Sequence, residues 1–203
     1  MNQNEVHLMM TRSRLEAFSD GVIAIVLTIM MLDLKAPATA EISGLRPVIP
    51  AFLGYVLSFV HVGIYWNNHH HLFQAVRSVN GGVLLANLHL LFWISLVPFA
   101  TSWMGSSCFA QWPVVVYGMV LLLSAVAYFF LGQLLIRHHG RESTIAKALA
   151  SDFKGKVSLL LYVVGIGLAF VHSWLACGVY SFVALMWLIP DRRIESTISN
   201  QQS

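Results

Sequence analysis

The sequence predicts an all-α integral membrane protein with six transmembrane helices per subunit and both termini cytoplasmic. Three observations carry that prediction. Of the 203 residues, 57% are hydrophobic and only 10% are charged, against a charged share of roughly 25% in ordinary soluble domains. The charges are confined to short segments between long apolar runs, as expected of a chain that crosses a bilayer. The basic residues also fall on alternate connections, which fixes an orientation.

A spanning helix needs about 20 mostly apolar residues. Runs at about 47–66, 82–104, 112–136, 157–171 and 173–189 satisfy this, the run at 157–171 only barely. Pro190, Asp191, Arg192 and Arg193 stop the last run. Only about His172 and Ser173 remain to turn the chain between the fifth and sixth spans, so these form a tight helical hairpin. No composition break or flexible linker divides the chain, and residues 1–203 read as one six-helix transmembrane domain without internal repeats.

The first span, about 14–35, is unlike the others. Its uninterrupted apolar stretch, 22–32, is half the required length. To cross, the helix must carry Arg14, Glu16, Ser19 and Asp20 at one end and Asp33 at the other. Charges at membrane depth are costly and face protein or water rather than lipid, so this helix is expected to be interior. Arg12 and Arg14 before an apolar stretch, then Ala38-Thr39-Ala40, also resemble a secretory leader. Glu16 and Asp20 argue against it, because such leaders are basic or apolar there.

Ten of the twelve Lys and Arg residues lie in the N-terminal tail, the 2–3 and 4–5 connections and the C-terminal tail. The opposite side has only Lys35 and Arg46. The positive-inside rule therefore puts both termini in the cytoplasm. Trp66 and Trp187 then sit at the inner interface, and Trp103, Trp112 and Trp174 at the outer one. The net charge of +3 belongs to this asymmetry and calls for no nucleic-acid partner. Ile145, Leu149 and Phe153 fall at helical spacing among basic residues, which suits a short helix on the inner membrane surface or a solvated loop helix. Two cysteines, Cys108 and Cys177, are too few for a disulfide framework and are expected to be free thiols.

At about 100° per residue, Ala17, Gly21, Ala24 and Thr28 fall on one narrow stripe of the first helix, where another helix could approach closely. Ile25, Ile29 and Leu32 form the adjacent stripe, which Phe18 and Arg14 continue toward the cytoplasm. Asp20 points away from it. At the depth of Ser19 and Asp20 lie the second-helix ending WNNHHHLF (66–73) and Asn87 of the third helix. A buried network among Arg14, Ser19, Asp20, His69 or His70, and Asn87 would satisfy groups that lipid cannot. Three consecutive histidines do not make a metal site, since neighbouring side chains on a helix diverge. No nucleotide-binding, hydrolase or carbonyl-filter motif is present, so no enzyme activity and no cofactor are expected.

RLEAFSDGVIAIVLTIMML (14–32) resembles the signature helix of the transmembrane protein 175 family, endolysosomal-type potassium channels and their bacterial relatives. Arg14, Phe18, Ser19 and Asp20 match its Arg-x-x-x-Phe-Ser-Asp pattern. WNNHHHLF and NLHLLFWISLVPF (87–99) resemble its second and third helices. The resemblance implies a potassium-selective channel in the cell membrane, a homotetramer with the first helix central around the pore. It also implies a hydrophobic constriction, carried onto Ile25, Ile29 and Leu32 with Thr28 nearby. The signature residues would pair with helices 2 and 3 rather than with the ion. The permeant potassium ion would be the only ligand, and the bilayer and three further copies the partners. A proton-coupled cation transporter built on Asp20 and the histidines is the competing reading. A non-conducting protein whose polar cluster only fixes assembly is the third.

Overall fold

The computed structural model describes residues 12–189, except 77, 141, 142, 144, 147, 148 and 150–152. The regular structure is helical throughout the described residues. Arg12–Leu32 is α1; a 3₁₀ turn over Ile42–Val48 leads into α2, Ile49–Gln74; α3 is Gly81–Ser95, α4 Val97–Ser106 and α5 Gln111–His139; α6, Phe153–Ala169, and α7, Ser173–Leu188, form the closing hairpin. These make six membrane passes, because α3 and α4 together are one. Three basic residues in the expected inner connections, Arg77, Arg141 and Lys147, lie outside the described residues. So does everything from Pro190 on, with Arg192 and Arg193. For geometry, the base is the end where α1 begins and α7 finishes, and the crown is the opposite end.

The third pass differs from the single helix expected over 82–104. It breaks at Leu96, and Pro98 stands in the first turn of α4. Proline has no N–H to offer the carbonyl four residues back, and its ring crowds that carbonyl. The chain therefore restarts as a new helix. The second pass runs past the expected end at residue 66, so WNNHHHLF is the last two turns of α2. The first helix ends at Leu32, leaving Asp33 beyond it. Four passes are long and apolar enough to cross a membrane alone. The hairpin helices α6 and α7, with 17 and 16 residues, reach only about 25 Å at 1.5 Å per residue.

At the base, the side chain of Lys154 at the start of α6 donates to the carbonyl of Ile189 at 2.9 Å, and Trp187 donates to Ser158 at 2.8 Å. His138 at the end of α5 lies 3.1 Å from both Ser78 and the amide of Asn80, which ties α5 to the 2–3 connection. At the crown, the Phe109 and Trp174 rings lie 4.7 Å apart and join the α4–α5 turn to α7. Ile145 and Leu149 pack into the bundle core and Phe153 starts α6. Ile145 and Leu149 are therefore docked on protein, which the surface-helix and solvated-helix readings did not foresee, while Phe153 is exposed as those readings have it. Both cysteines are free, Cys108 exposed and Cys177 buried.

The α5–α6–α7 packing centres on Tyr180, which is fully buried. Two glycines make room for it: a Cβ at Gly118 would overlap the Tyr180 hydroxyl, and one at Gly165 would press on its ring. That hydroxyl has no hydrogen-bond partner among the described residues. Gly118→Ala and Gly165→Ala should each destabilise the fold by about 1–3 kcal/mol through overpacking. Tyr180→Phe, which removes an unsatisfied polar group, should be neutral or stabilising. Chemical unfolding of the detergent-solubilised protein measures all three. A large loss for Tyr180→Phe together with tolerance of both alanines would contradict this packing.

Candidate functional site

One face of α1 is anchored and the other is bare. Leu15, Ser19, Ile23, Val26 and Met30 are its buried residues, at the three- and four-residue spacings of a helix packed along one side. They face α2, α3 and α4. Only 28% of the α1 spanning window is buried, the same share as in the second pass and less than the 50% of the third and fourth. On one chain, then, both α1 and α2 leave much of their surface uncovered.

Among apolar neighbours, a short polar chain holds that buried face. Ser19 donates to the Leu15 carbonyl at 2.9 Å, the amide of Asn87 donates to Ser19 at 2.9 Å, and Nε2 of His69 lies 2.8 Å from the Asn87 carbonyl oxygen. All three side chains are at most 1% exposed. The direction of the chain is forced from one end. A backbone carbonyl only accepts, so Ser19 must spend its single hydrogen there. Ser19 then accepts from the Asn87 NH₂, whose oxygen is left to accept the Nε2–H of His69. One helix-turn carbonyl thus sets the orientation of Asn87 and the tautomer of His69.

The remaining signature residues have other partners. Asp20 accepts from the Trp66 indole at 3.1 Å. Glu16, half-buried, lies 3.0 Å from Nδ1 of His70 and 3.7 Å from Arg12, while Arg12 also reaches the Val76 carbonyl at 3.2 Å. His70 therefore carries its hydrogen on Nδ1, and its Nε2 accepts from Gln74 at 2.8 Å. Of the three candidate histidines, it is His69 that meets Asn87, while His70 serves a second strap at the base. The neighbouring residues point apart as helical geometry requires. Arg14 is exposed and makes no hydrogen bond or ion pair among the described residues; Phe18 is also exposed. The expected network of Arg14, Ser19, Asp20, His69 or His70, and Asn87 thus resolves into a buried core of three residues and separate surface contacts.

Sequence reasoning also missed a second polar node. Ser58 of α2 lies 2.6 Å from Thr101 of α4 and 3.1 Å from the Tyr117 hydroxyl of α5. Thr101 donates to the Val97 carbonyl at 2.7 Å and lies 4.0 Å from the Met30 sulfur. Isolated hydroxyls at similar depth in three apolar runs were the available signal.

The bare face of α1 bears Ala17, Gly21, Ala24 and Thr28, with Ile25 58% exposed, Ile29 44% and Leu32 81%. A Cβ on Gly21 would meet nothing. An open groove runs beside this stripe, lined by Val22, Ile25, Ile29, Asp33, Ser95 and Phe99 among others. The Thr28 hydroxyl donates to the Ile25 carbonyl at 2.8 Å, so its oxygen lone pairs remain free to accept.

Asn87→Ala should cost about 1–3 kcal/mol, because the buried His69 N–H loses its acceptor. Glu16→Gln, at the half-exposed strap, should cost under about 1 kcal/mol. Unfolding curves in detergent distinguish the two sites. Equal losses, or a larger one for Glu16→Gln, would count against the buried chain as the anchor.

The potassium-channel family model described as endosomal/lysosomal potassium channel TMEM175 matches residues 14–98, which contain all but the first two residues of α1, then α2, α3 and the start of α4. A potassium channel of Chryseobacterium sp. (strain P1-3) is 54% identical over 189 residues, covering 93% of this chain and 98% of that one. The human endosomal/lysosomal proton channel TMEM175 is 34% identical over 121 residues, 54% of this chain and 24% of that one. Among solved structures, the crystal structure of a lysosomal potassium-selective channel TMEM175 homolog from Chamaesiphon minutus aligns with a TM-score of 0.77 at 26% identity, covering 88% of this chain and 96% of that chain. The signature helix with its anchor, the six-pass helical fold and the full-length match to a bacterial relative agree: this chain is a membrane-embedded cation channel of the TMEM175 family and not an enzyme.

Proposed function

We propose that the protein is a potassium-selective channel in which four copies bring their α1 helices together around the ion path. One observation carries the reading. The helix whose buried face is fixed by hydrogen bonds leaves an aliphatic stripe, Ile25, Ile29 and Leu32, bare on the single chain. One α1 cannot enclose a path, whereas a closed ring of copies covers the bare stripes and encloses one. The stripe spans eight residues, about 10 Å along the helix axis, which suits a short apolar constriction that gates by dewetting. Thr28 would present its free lone pairs beside it, where a partly dehydrated cation needs oxygen. In this reading Arg14 and Phe18 face neighbouring copies, and Ser19, Asp20, His69, His70 and Asn87 hold helices without touching the ion. The base lies on the cytoplasmic side, by the distribution of basic residues, and the bacterial relatives point to a bacterial cell membrane.

The competing proton-coupled transporter requires Asp20 and the histidines to exchange a proton. Asp20 accepts instead from the Trp66 indole, and the buried chain from His69 ends on a backbone carbonyl, which does not titrate. Both observations favour the channel.

Ile25→Asn should wet the constriction and lower the potassium-over-sodium permeability ratio by about tenfold, equivalent to about 1.4 kcal/mol. Reversal potentials in planar bilayers under bi-ionic conditions report the ratio directly. A ratio unchanged from the parent protein would remove Ile25 from the constriction.

A further inference from the structure

Asp33 is the first residue past α1, at the crown end, and it is exposed. Ile25, Ile29 and Asp33 follow one another at four-residue steps, and all three line the open groove beside the bare stripe. At 1.5 Å per residue, Asp33 stands about 6 Å beyond Ile29 along the helix axis. Among the described walls of the groove, only Asp33 and Ser95 are polar.

The Asp33 carboxylate makes no hydrogen bond or ion pair among the described residues. Lys35, two residues on, is not one of the groove's walls. The other described carboxylate of the crown, Glu41, accepts from the Ser43 hydroxyl in its own turn at 3.2 Å. The helix also ends here, and the carbonyl end of a helix carries about half a negative charge. Backbone and side chain thus present the same sign at the same end of the stripe. We infer that Asp33 recruits cations at the crown mouth of the pore, where four copies, one per subunit, make a ring of carboxylates ahead of the apolar constriction. The inference rests on the reading that α1 lines the ion path.

The stripe itself cannot do this work. Ile25, Ile29 and Leu32 carry no charge, so they neither gather cations nor turn anions away. Rings of Asp or Glu do both in cation channels, and a mouth lined by one sign of charge raises the local concentration of the opposite ion. Lys35 and Arg46 match Asp33 and Glu41 in number among the described crown residues, so placement rather than net charge makes the mouth negative. A carboxylate ring attracts sodium as well as potassium. Asp33 therefore sets how fast cations arrive and favours them over anions, while the choice between potassium and sodium stays with the constriction.

Single-channel currents of the full-length protein in planar bilayers provide the test. In about 0.1 M potassium chloride, where the Debye length is about 10 Å, Asp33→Asn should conduct about twofold less than the parent. In about 1 M salt, where that length is about 3 Å, the two should conduct nearly equally. The potassium-over-sodium ratio should be the same in both proteins. Asp33→Cys, in a background with Cys108→Ser and Cys177→Ala, is the second variant. A negatively charged thiol reagent added at the crown should restore its conductance, and a positively charged one should lower it further. A merely structural role would not produce opposite responses. Unchanged conductance of Asp33→Asn in the dilute salt, or the same response to both reagents, would overturn the role of Asp33. Ile25→Asn keeps the two failures apart. A changed ratio there, with no effect at Asp33, removes Asp33 and leaves the α1 pore standing; no effect at either position removes the α1 pore and this inference with it.

Discussion

The Ser19 hydroxyl has one hydrogen to give, and the arrangement of α1 follows from where it goes. Ser19 donates to the Leu15 carbonyl, Asn87 donates to Ser19, and His69 donates to Asn87. Three helices are joined by side chains that lipid could not have satisfied. In the bilayer interior this polar cluster has nowhere else to go, so the register and rotation of α1 against α2 and α3 are fixed. Apolar packing alone would not specify them, since Leu, Ile and Val interdigitate nearly as well after a small rotation.

Fixing one face decides the other. With Ser19 turned inward, Ile23, Val26 and Met30 follow it into the subunit, and Ile25, Ile29 and Leu32 are turned outward. The small residues Ala17, Gly21 and Ala24 lie on the same outward side. Ordinary folding chemistry thus produces a helix that is rigidly held and half bare. The Thr101 contact with Met30 supports it near the crown, and the Arg12–Glu16–His70 strap supports it at the base. The rest of the subunit, the α5–α6–α7 packing around Tyr180, provides the mass against which α2 and α3 are held.

Much of this was legible in the residues. The number of passes followed from apolar runs and the hairpin from the missing loop between 171 and 173. The two faces of α1 followed from its 3.6-residue period. Ser19 and Asn87 were readable because polar groups at matching depth in apolar helices must find each other. His69 was not separable from His70, because both carry the same side chain and the choice depends on α2 rotation. The break at Leu96 had a visible cause in Pro98, but proline also sits harmlessly in first turns, as Pro50 does at the start of α2. The pairing of Asp20 with Trp66 was hidden by the tryptophan's other usual role at a membrane interface. The tyrosine bonds between α2 and α5, Tyr65 to the Leu121 carbonyl and Tyr128 to the Asn68 carbonyl, were beyond reach, because long-range hydroxyl-to-carbonyl bonds leave no periodic trace in a sequence.

The central claim is that the anchored helix turns its bare stripe toward water and ions. Cysteine accessibility during ion flux addresses it most directly, in a background with Cys108→Ser and Cys177→Ala. Single cysteines at Ile25, Ile29 and Leu32 are compared with ones at Ile23 and Val26. Potassium flux into liposomes is followed before and after a charged, membrane-impermeant thiol reagent is added. The account predicts block at the first three positions and none at the last two. Block at Ile23 and Val26 with free flux at Ile25, Ile29 and Leu32 would contradict it.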